Sequence, residues 1–181
     1  MSFEINPNAE MKAEEYKVIE TFIKFYIDKV LHIQAFNSMR AEEVTKLLKS
    51  NLHPFERIDT KKLLNQGEPL TAQEKRELGI NARLKVNHDF LKYINLDFLD
   101  KTDLFGFITE AEFYGRGRAW SEREINRAKK LKASLKLNVN KDSCPQSVDA
   151  KRTYSVKQAP LLPLPTCGKK CVCISVTEVS W

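Results

Sequence analysis

The first 143 residues of the chain contain no cysteine, and all four cysteines lie in the last 38 residues. They are Cys144, Cys167, Cys171 and Cys173. A disulfide framework therefore cannot hold the main part of the chain together, which favours a reducing compartment. Four thiolates could bind zinc, but this spacing matches no common zinc finger. We therefore expect exposed reactive thiols and no metal or cofactor.

The sequence also lacks a long apolar run without charges. Its most apolar stretch, residues 16–33, is interrupted by Lys17, Glu20, Lys24, Asp28 and Lys29. These charges exclude a membrane span and predict a heavily buried helix instead. The polar, acidic N-terminal residues do not form the apolar segment of a signal peptide. We expect an intracellular protein, cytoplasmic or nuclear, that is neither secreted nor bound to a membrane.

Common catalytic motifs are absent as well. The sequence contains no phosphate-binding GxxxxGK[ST] loop, no GxSxG nucleophile turn and no HExxH zinc motif. Its three histidines are far apart. Asp97, Asp100 and Asp103 could gather a divalent cation, as a metal-dependent nuclease requires, although their spacing does not demand it. The sequence favours a protein that is not an enzyme, with the nuclease as a third alternative.

Helical periodicity dominates the first half of the chain. Residues 9–36 carry apolar side chains at helical spacing and predict a long central helix. A second helix is expected from Ser38 to Leu52, and a short one follows Asp59. Thr71 and Glu74 form a capping box that predicts a helix ended by Gly79, with a longer helix over residues 81–94.

Two further capping boxes follow in the sequence. Thr109 with Glu112 predicts a short helical turn ended by Gly115, and Ser121 with Glu124 predicts the start of a basic helix reaching Val139. Residues 1–140 are therefore expected to form a single, mostly α, multi-helix domain.

Residues 141–181 differ in composition from the rest. They hold four of the seven prolines and show no helical periodicity, so they predict an extended, largely disordered tail. The final residues 172–181 are rich in β-branched side chains and could form a lone strand. Such a strand needs a partner, either this domain or another chain.

Positive charge is concentrated in residues 113–141, which contain nine Lys or Arg residues and two Glu residues. We interpret Gly115 and Gly117 as a flexible approach to the basic helix. Cations attract phosphates and exposed aromatic rings stack on bases, so this segment predicts a nucleic-acid-binding surface. Whether the ligand is DNA or RNA stays open. The predicted contacts are Tyr114, Arg116, Arg118, Trp120, Arg123, Arg127 and Lys130.

The tail supports a different interpretation. Lys157, Pro160 and Pro163 fit the pattern of ligands that bind SH3 domains as a polyproline helix. The chain would then be an adaptor that binds a protein partner through its tail. Deleting residues 141–181 should remove this activity and spare nucleic-acid binding.

Overall fold

The computed structural model of the chain describes residues 7–53, 55–138, 145–150, 152–164, 167 and 174–178. Most of these residues are helical, which confirms the predicted mostly α fold. The helices are α1 (Pro7–His32), α2 (Ser38–Ser50), α3 (Thr60–Leu64), α4 (Ala72–Glu77), α5 (His88–Tyr93), α6 (Gly106–Lys130) and α7 (Pro145–Asp149), with a 3-10 turn at Leu96–Phe98. The strands are β1 (Ser134–Asn138), β2 (Thr153–Tyr154) and β3 (Ile174–Glu178).

The chain divides into two compact units, residues 1–112 and residues 113–181. The boundary that the sequence suggested near residue 140 lies inside the second unit. Among the residues described, none of the helices combines the length and the apolar character needed to cross a bilayer.

The first unit is centred on α1, the long helix that the apolar periodicity predicted. Its side chains Ile23, Tyr26 and Val30 are buried, and α1 packs against α2, which contributes Val44 and Leu48. Helix α2 also packs against α3 and α5. The apolar stripe of α1 therefore forms one side of the core of this unit.

Four phenylalanines pack together in the same unit. The ring centroid of Phe90 lies 4.9 Å from that of Phe105 and 6.3 Å from that of Phe107. Phe36 meets Phe107 edge to face, with centroids 5.7 Å apart. Such offset and edge-on contacts are the favoured geometries of aromatic pairs. These rings link the loop after α1 to α5 and to the start of α6.

A polar cluster lies beside this core. The Thr60 hydroxyl donates a hydrogen bond to the Glu112 carboxylate over 2.5 Å, and the Arg57 guanidinium lies 3.6 Å from the same carboxylate. Burial raises the pKa of the fully buried Tyr26 well above its ordinary value; the Thr60 side chain opposes this shift, and the negative charge of Glu112 adds to it. The Tyr26 phenol is therefore held in its neutral form.

Side-chain caps set the start of α2, α3 and α4. Asn37 caps α2 in place of the expected Ser38, and Asp59 caps α3; each accepts a hydrogen bond from a backbone N–H three residues further on. The capping box of Thr71 and Glu74 is confirmed at α4. Local sequence is sufficient at these positions because each cap binds the backbone of its own helix.

The helix predicted over residues 81–94 is shorter than expected and begins only at His88. The preceding backbone is used elsewhere: Leu70 N–H donates to the Val86 carbonyl and His88 N–H to the Glu68 carbonyl, each over 2.9 Å. This antiparallel pairing occupies the backbone groups that an earlier helical turn would need.

In the second unit, α6 continues to Lys130 without a break, which corrects three expectations. Thr109 and Ser121 begin no helix, since both lie inside α6, and Gly115 neither ends a helix nor provides a flexible approach. The local pattern of a capping box was present, but the side chains bind distant groups. Glu112 binds Thr60, as described above, and the Ser121 hydroxyl accepts a hydrogen bond from Leu162 N–H over 3.1 Å.

The prediction that the basic helix reaches Val139 was also wrong. Helix α6 ends at Lys130, a turn follows with Lys132 at φ 51°, and residues 134–138 form β1. Strand β1 lies at the centre of an antiparallel sheet in the order β2–β1–β3, with Leu135 opposite Tyr154 and Thr177. Pairing with two strands from later in the chain therefore overrides the helical spacing of these apolar residues.

The proline-containing segment packs against α6. Leu162 is buried with Leu137 and Tyr154, and a Cβ atom on Gly117 would lie 2.5 Å from Cδ of Pro163. Gly117 is therefore needed for close approach rather than for flexibility. The described part of the predicted tail, residues 152–164 included, contributes to the core of the second unit.

Strand β3 confirms the predicted terminal strand and has β1 as its partner. Glu124 of α6 fixes its position, because its carboxylate accepts hydrogen bonds from the Thr177 N–H over 3.3 Å and from the Thr177 hydroxyl over 2.8 Å. Glu124 is almost fully buried. The hydrogen bonds offset the cost of removing this charge from water.

Candidate nucleic-acid interface

The two units carry charge of opposite sign. Residues 1–112 contain 16 Lys or Arg and 19 Asp or Glu, a formal net charge of −3, while residues 113–181 contain 14 and 5, a net charge of +9; together they give the +6 of the whole chain. A strongly cationic unit raises the local concentration of polyanions around it. The candidate site lies in this second unit.

One exposed face of α6 in the second unit combines cations and aromatic rings. Its residues are spaced alternately three and four apart, which keeps their side chains on one side of a helix. All are exposed except the half-buried Arg116. We call the following six residues the basic–aromatic face: Phe113, Arg116, Trp120, Arg123, Arg127 and Lys130.

Contacts within the helix order part of this face. The guanidinium carbon of Arg123 lies 5.4 Å from the ring centroid of Trp120, a cation–π contact. Arg127 lies 3.8 Å from Glu124, but its side chain remains 65% exposed. Solvent screens an ion pair of this length with an exposed partner, so the attraction is weak. The Arg127 guanidinium is therefore accessible to a further anion.

The continuous helix separates two of the predicted contact residues from the others. Tyr114 and Arg118 lie on a different side of α6, where the guanidinium carbon of Arg118 is 5.0 Å from the Tyr114 ring centroid. Arg118 is only 9% exposed. Its cation is therefore positioned to stabilise the second unit, and a phosphate could reach it only after a rearrangement.

The proposed SH3 ligand lies in the packed segment. Lys157 is exposed, Pro160 is half-buried and Pro163 is buried against Gly117. A partner that binds all three residues would first have to lift this segment from α6. Deleting residues 141–181 would also remove β2 and β3 from the sheet, so point substitutions are needed to separate the two functions.

Two of the three carboxylates considered for a divalent cation, Asp100 and Asp103, lie against neighbouring residues of the chain. Asp100 accepts hydrogen bonds from the Thr102 N–H over 2.8 Å and from its hydroxyl over 2.6 Å. Asp103 lies against Gly106 at the start of α6. Within the described ranges, no three His, Cys, Asp or Glu side chains are grouped in a way that could hold a metal ion. Cys144, Cys171 and Cys173 lie outside these ranges, and Cys167 is half-buried.

Sequence reasoning missed Phe113 as a member of the face. The ring is 38% exposed and lies seven residues, or two helical turns, before Trp120. The spacing was visible in the sequence, but interpreting Gly115 and Gly117 as a flexible approach meant that the two rings were not expected on one helical face. A continuous helix restores it.

Comparison with known proteins provides no further assignment. No family model, curated protein or solved structure matches the chain. The function is therefore inferred from the charge and geometry of the second unit.

Proposed function

We propose that the protein binds nucleic acid through the basic–aromatic face and has no catalytic role. The observation that carries this proposal is the arrangement of four cations and two aromatic rings on one face of a single continuous helix. Phosphates would pair with Arg116, Arg123, Arg127 and Lys130. Because the helix already fixes the backbone of these residues, only side-chain rotamer freedom is lost in aligning them with a ligand.

The charge of the whole second unit supports the same proposal. Neutralising phosphates releases condensed counterions, and this gain does not depend on nucleotide sequence. Further exposed cations, among them Lys129, Lys132 and Lys136, lie at the end of α6, in the turn and on β1. An intracellular location, cytoplasmic or nuclear, belongs to this proposal because the ligand is found there.

The test is a binding titration with labelled oligonucleotides across a salt series, in which fluorescence anisotropy measures binding. The test variant carries Arg123→Ala, Arg127→Ala and Lys130→Ala. We expect the slope of log affinity against log salt to flatten by about 2 to 3 in total, from about 0.7–0.9 per lost phosphate contact. Circular dichroism would establish that the variant keeps its helices.

A matched control removes three exposed cations from the first unit: Lys46→Ala, Arg83→Ala and Lys85→Ala. It lowers the net charge by the same amount and should leave the salt slope close to that of the unaltered protein. If both triple variants flattened the salt slope equally, the protein would attract nucleic acid through its overall charge and not through the basic–aromatic face. No binding at low salt would overturn the proposal.

A further inference from the structure

Two large aromatic side chains remain exposed on a helix whose other exposed side chains are polar. Trp120 is 48% exposed and Phe113 is 38% exposed. They lie on the same side of α6 at a separation of about 10 Å along its axis, from seven residues at about 1.5 Å each. Exposed aromatic rings surrounded by polar groups are typical of binding surfaces.

The order of side chains on this face is informative. Arg116 lies between the two rings, and Arg123, Arg127 and Lys130 follow Trp120 in successive turns. Aromatic rings and cations are therefore interleaved along one helical face. A nucleic-acid strand has the complementary order, since each base is separated from the next by a phosphate.

From this pattern we infer that the ligand is a single-stranded nucleic acid whose bases stack on Phe113 and Trp120. The inference rests on the proposed function and specifies its substrate class. In a duplex the base faces are covered by neighbouring base pairs, and a helix in the major groove recognises base edges with polar side chains. A single strand presents both its base faces and its phosphates.

Arg123 strengthens the inference. Its guanidinium carbon lies 5.4 Å from the Trp120 ring centroid, so a cation is held close to the ring, where it could neutralise the phosphate of a base stacked on the other side of the ring. A polyanion without bases, such as heparin, would use the cations and leave the rings without a partner. Stacking thus distinguishes single strands from both duplexes and simple polyanions.

The chain contains two tryptophans, so Trp181→Phe in the full-length protein leaves Trp120 as the only one. This protein is titrated with oligo(dT), oligo(rU), a mixed-sequence duplex and heparin, and tryptophan emission is recorded beside anisotropy. We expect both single strands to quench Trp120. The duplex and heparin should bind more weakly or without quenching. Comparing the two single strands distinguishes DNA from RNA.

Substituting the rings separates stacking from charge. Phe113→Ala with Trp120→Ala should weaken single-strand binding by about fivefold or more per ring. The salt slope should not change, because no phosphate contact is lost. Leu131→Ala is the matched control, since it removes another exposed apolar side chain from the same unit and should have no effect.

The outcomes distinguish this inference from the proposed function. Equal affinity for single strands and duplex, with neither of them quenching Trp120, would overturn the inference and leave nucleic-acid binding intact. Equal binding and equal quenching by heparin would overturn it too. No binding to any nucleic acid at low salt would overturn both.

Discussion

The two units of the chain differ in the residues that make their closest contacts. In the first unit, the rings of Phe36, Phe90, Phe105 and Phe107 pack together. In the second unit, the side of α6 that meets the later chain carries Gly117 and Ser121, which contact Pro163 and Leu162. Large aromatic rings fill space in the first unit, whereas in the second unit the small residues Gly117 and Ser121 allow residues 162–163 to approach α6 closely.

Charge also divides between the two units. The cations of the basic–aromatic face occupy positions on α6 other than Gly117 and Ser121, and their charged ends can stay in water. The net charges of −3 and +9 of the two units follow the same division.

The largest expected effect tests the core of the first unit. Phe90→Ala should lower the free energy of unfolding by about 3–5 kcal/mol, because it removes a fully buried ring and leaves a cavity. Urea denaturation followed by circular dichroism would measure it. Phe98→Ala removes an exposed ring of the same unit and should have little effect. A loss below about 1 kcal/mol for Phe90→Ala would contradict the tight packing of this cluster.

The matching test in the second unit adds a side chain. Gly→Ala inside a helix normally stabilises by up to about 1 kcal/mol. Gly117→Val should instead lower the free energy of unfolding by about 1–3 kcal/mol, because its Cβ would meet Pro163. Adding Pro163→Ala to Gly117→Val should recover part of the loss in a double-mutant cycle. A stabilised Gly117→Val protein would show that this contact does not form.

Alkaline pH tests the polar cluster of the first unit. The pKa of Tyr26 is raised in the folded protein, so above pH about 10 the unfolded chain loses this proton and the folded chain keeps it. Stability should therefore fall with rising pH by about 1.4 kcal/mol per pH unit. Denaturation of Tyr26→Phe over the same pH range should lack this component. Identical pH profiles for the two proteins would contradict the burial of the phenol.

The smallest effect concerns a cap on the surface. Thr71→Ala removes the hydroxyl that caps α4 and should cost about 1 kcal/mol, whereas Thr71→Ser keeps the hydroxyl and should cost less. Hydrogen bonds from Thr71 hold the pKa of Glu74 below its ordinary value of 4.5. In the Thr71→Ala protein this pKa should rise only part of the way toward 4.5 in an NMR titration, because the Thr71 backbone N–H, the larger cause of the shift, still donates to Glu74. An unchanged pKa would contradict the hydrogen bond between the Thr71 hydroxyl and Glu74.

Sequence reasoning succeeded where a structure depends on its own neighbours in the chain. The apolar stripe of α1, the short helix after Asp59 and the Thr71 capping box are all local features, and all were found. It failed where the partner lies far away. Ser121 binds a residue 41 positions later and Glu124 one 53 positions later, so their capping-box pattern carried no information about a helix start.

Prediction of the candidate interface from the sequence was limited for the same reason. The cations and Trp120 were identified from composition, but their common face depends on α6 being continuous through Gly115 and Gly117. Glycine is a poor helix former, and only the close approach of Pro163 explains its presence at position 117. The burial of Arg118 could not be foreseen either, because it requires the fold of the unit.

The hydrogen bonds from Thr177 to Glu124 have a consequence for the behaviour of the protein at high concentration. Strand β3 is an outer strand of the described sheet, and unpaired backbone groups on such strands recruit strands from other molecules into aggregates. A Thr177 N–H that donates to Glu124 is not available for such pairing. The buried carboxylate therefore protects one position of the sheet margin against self-association.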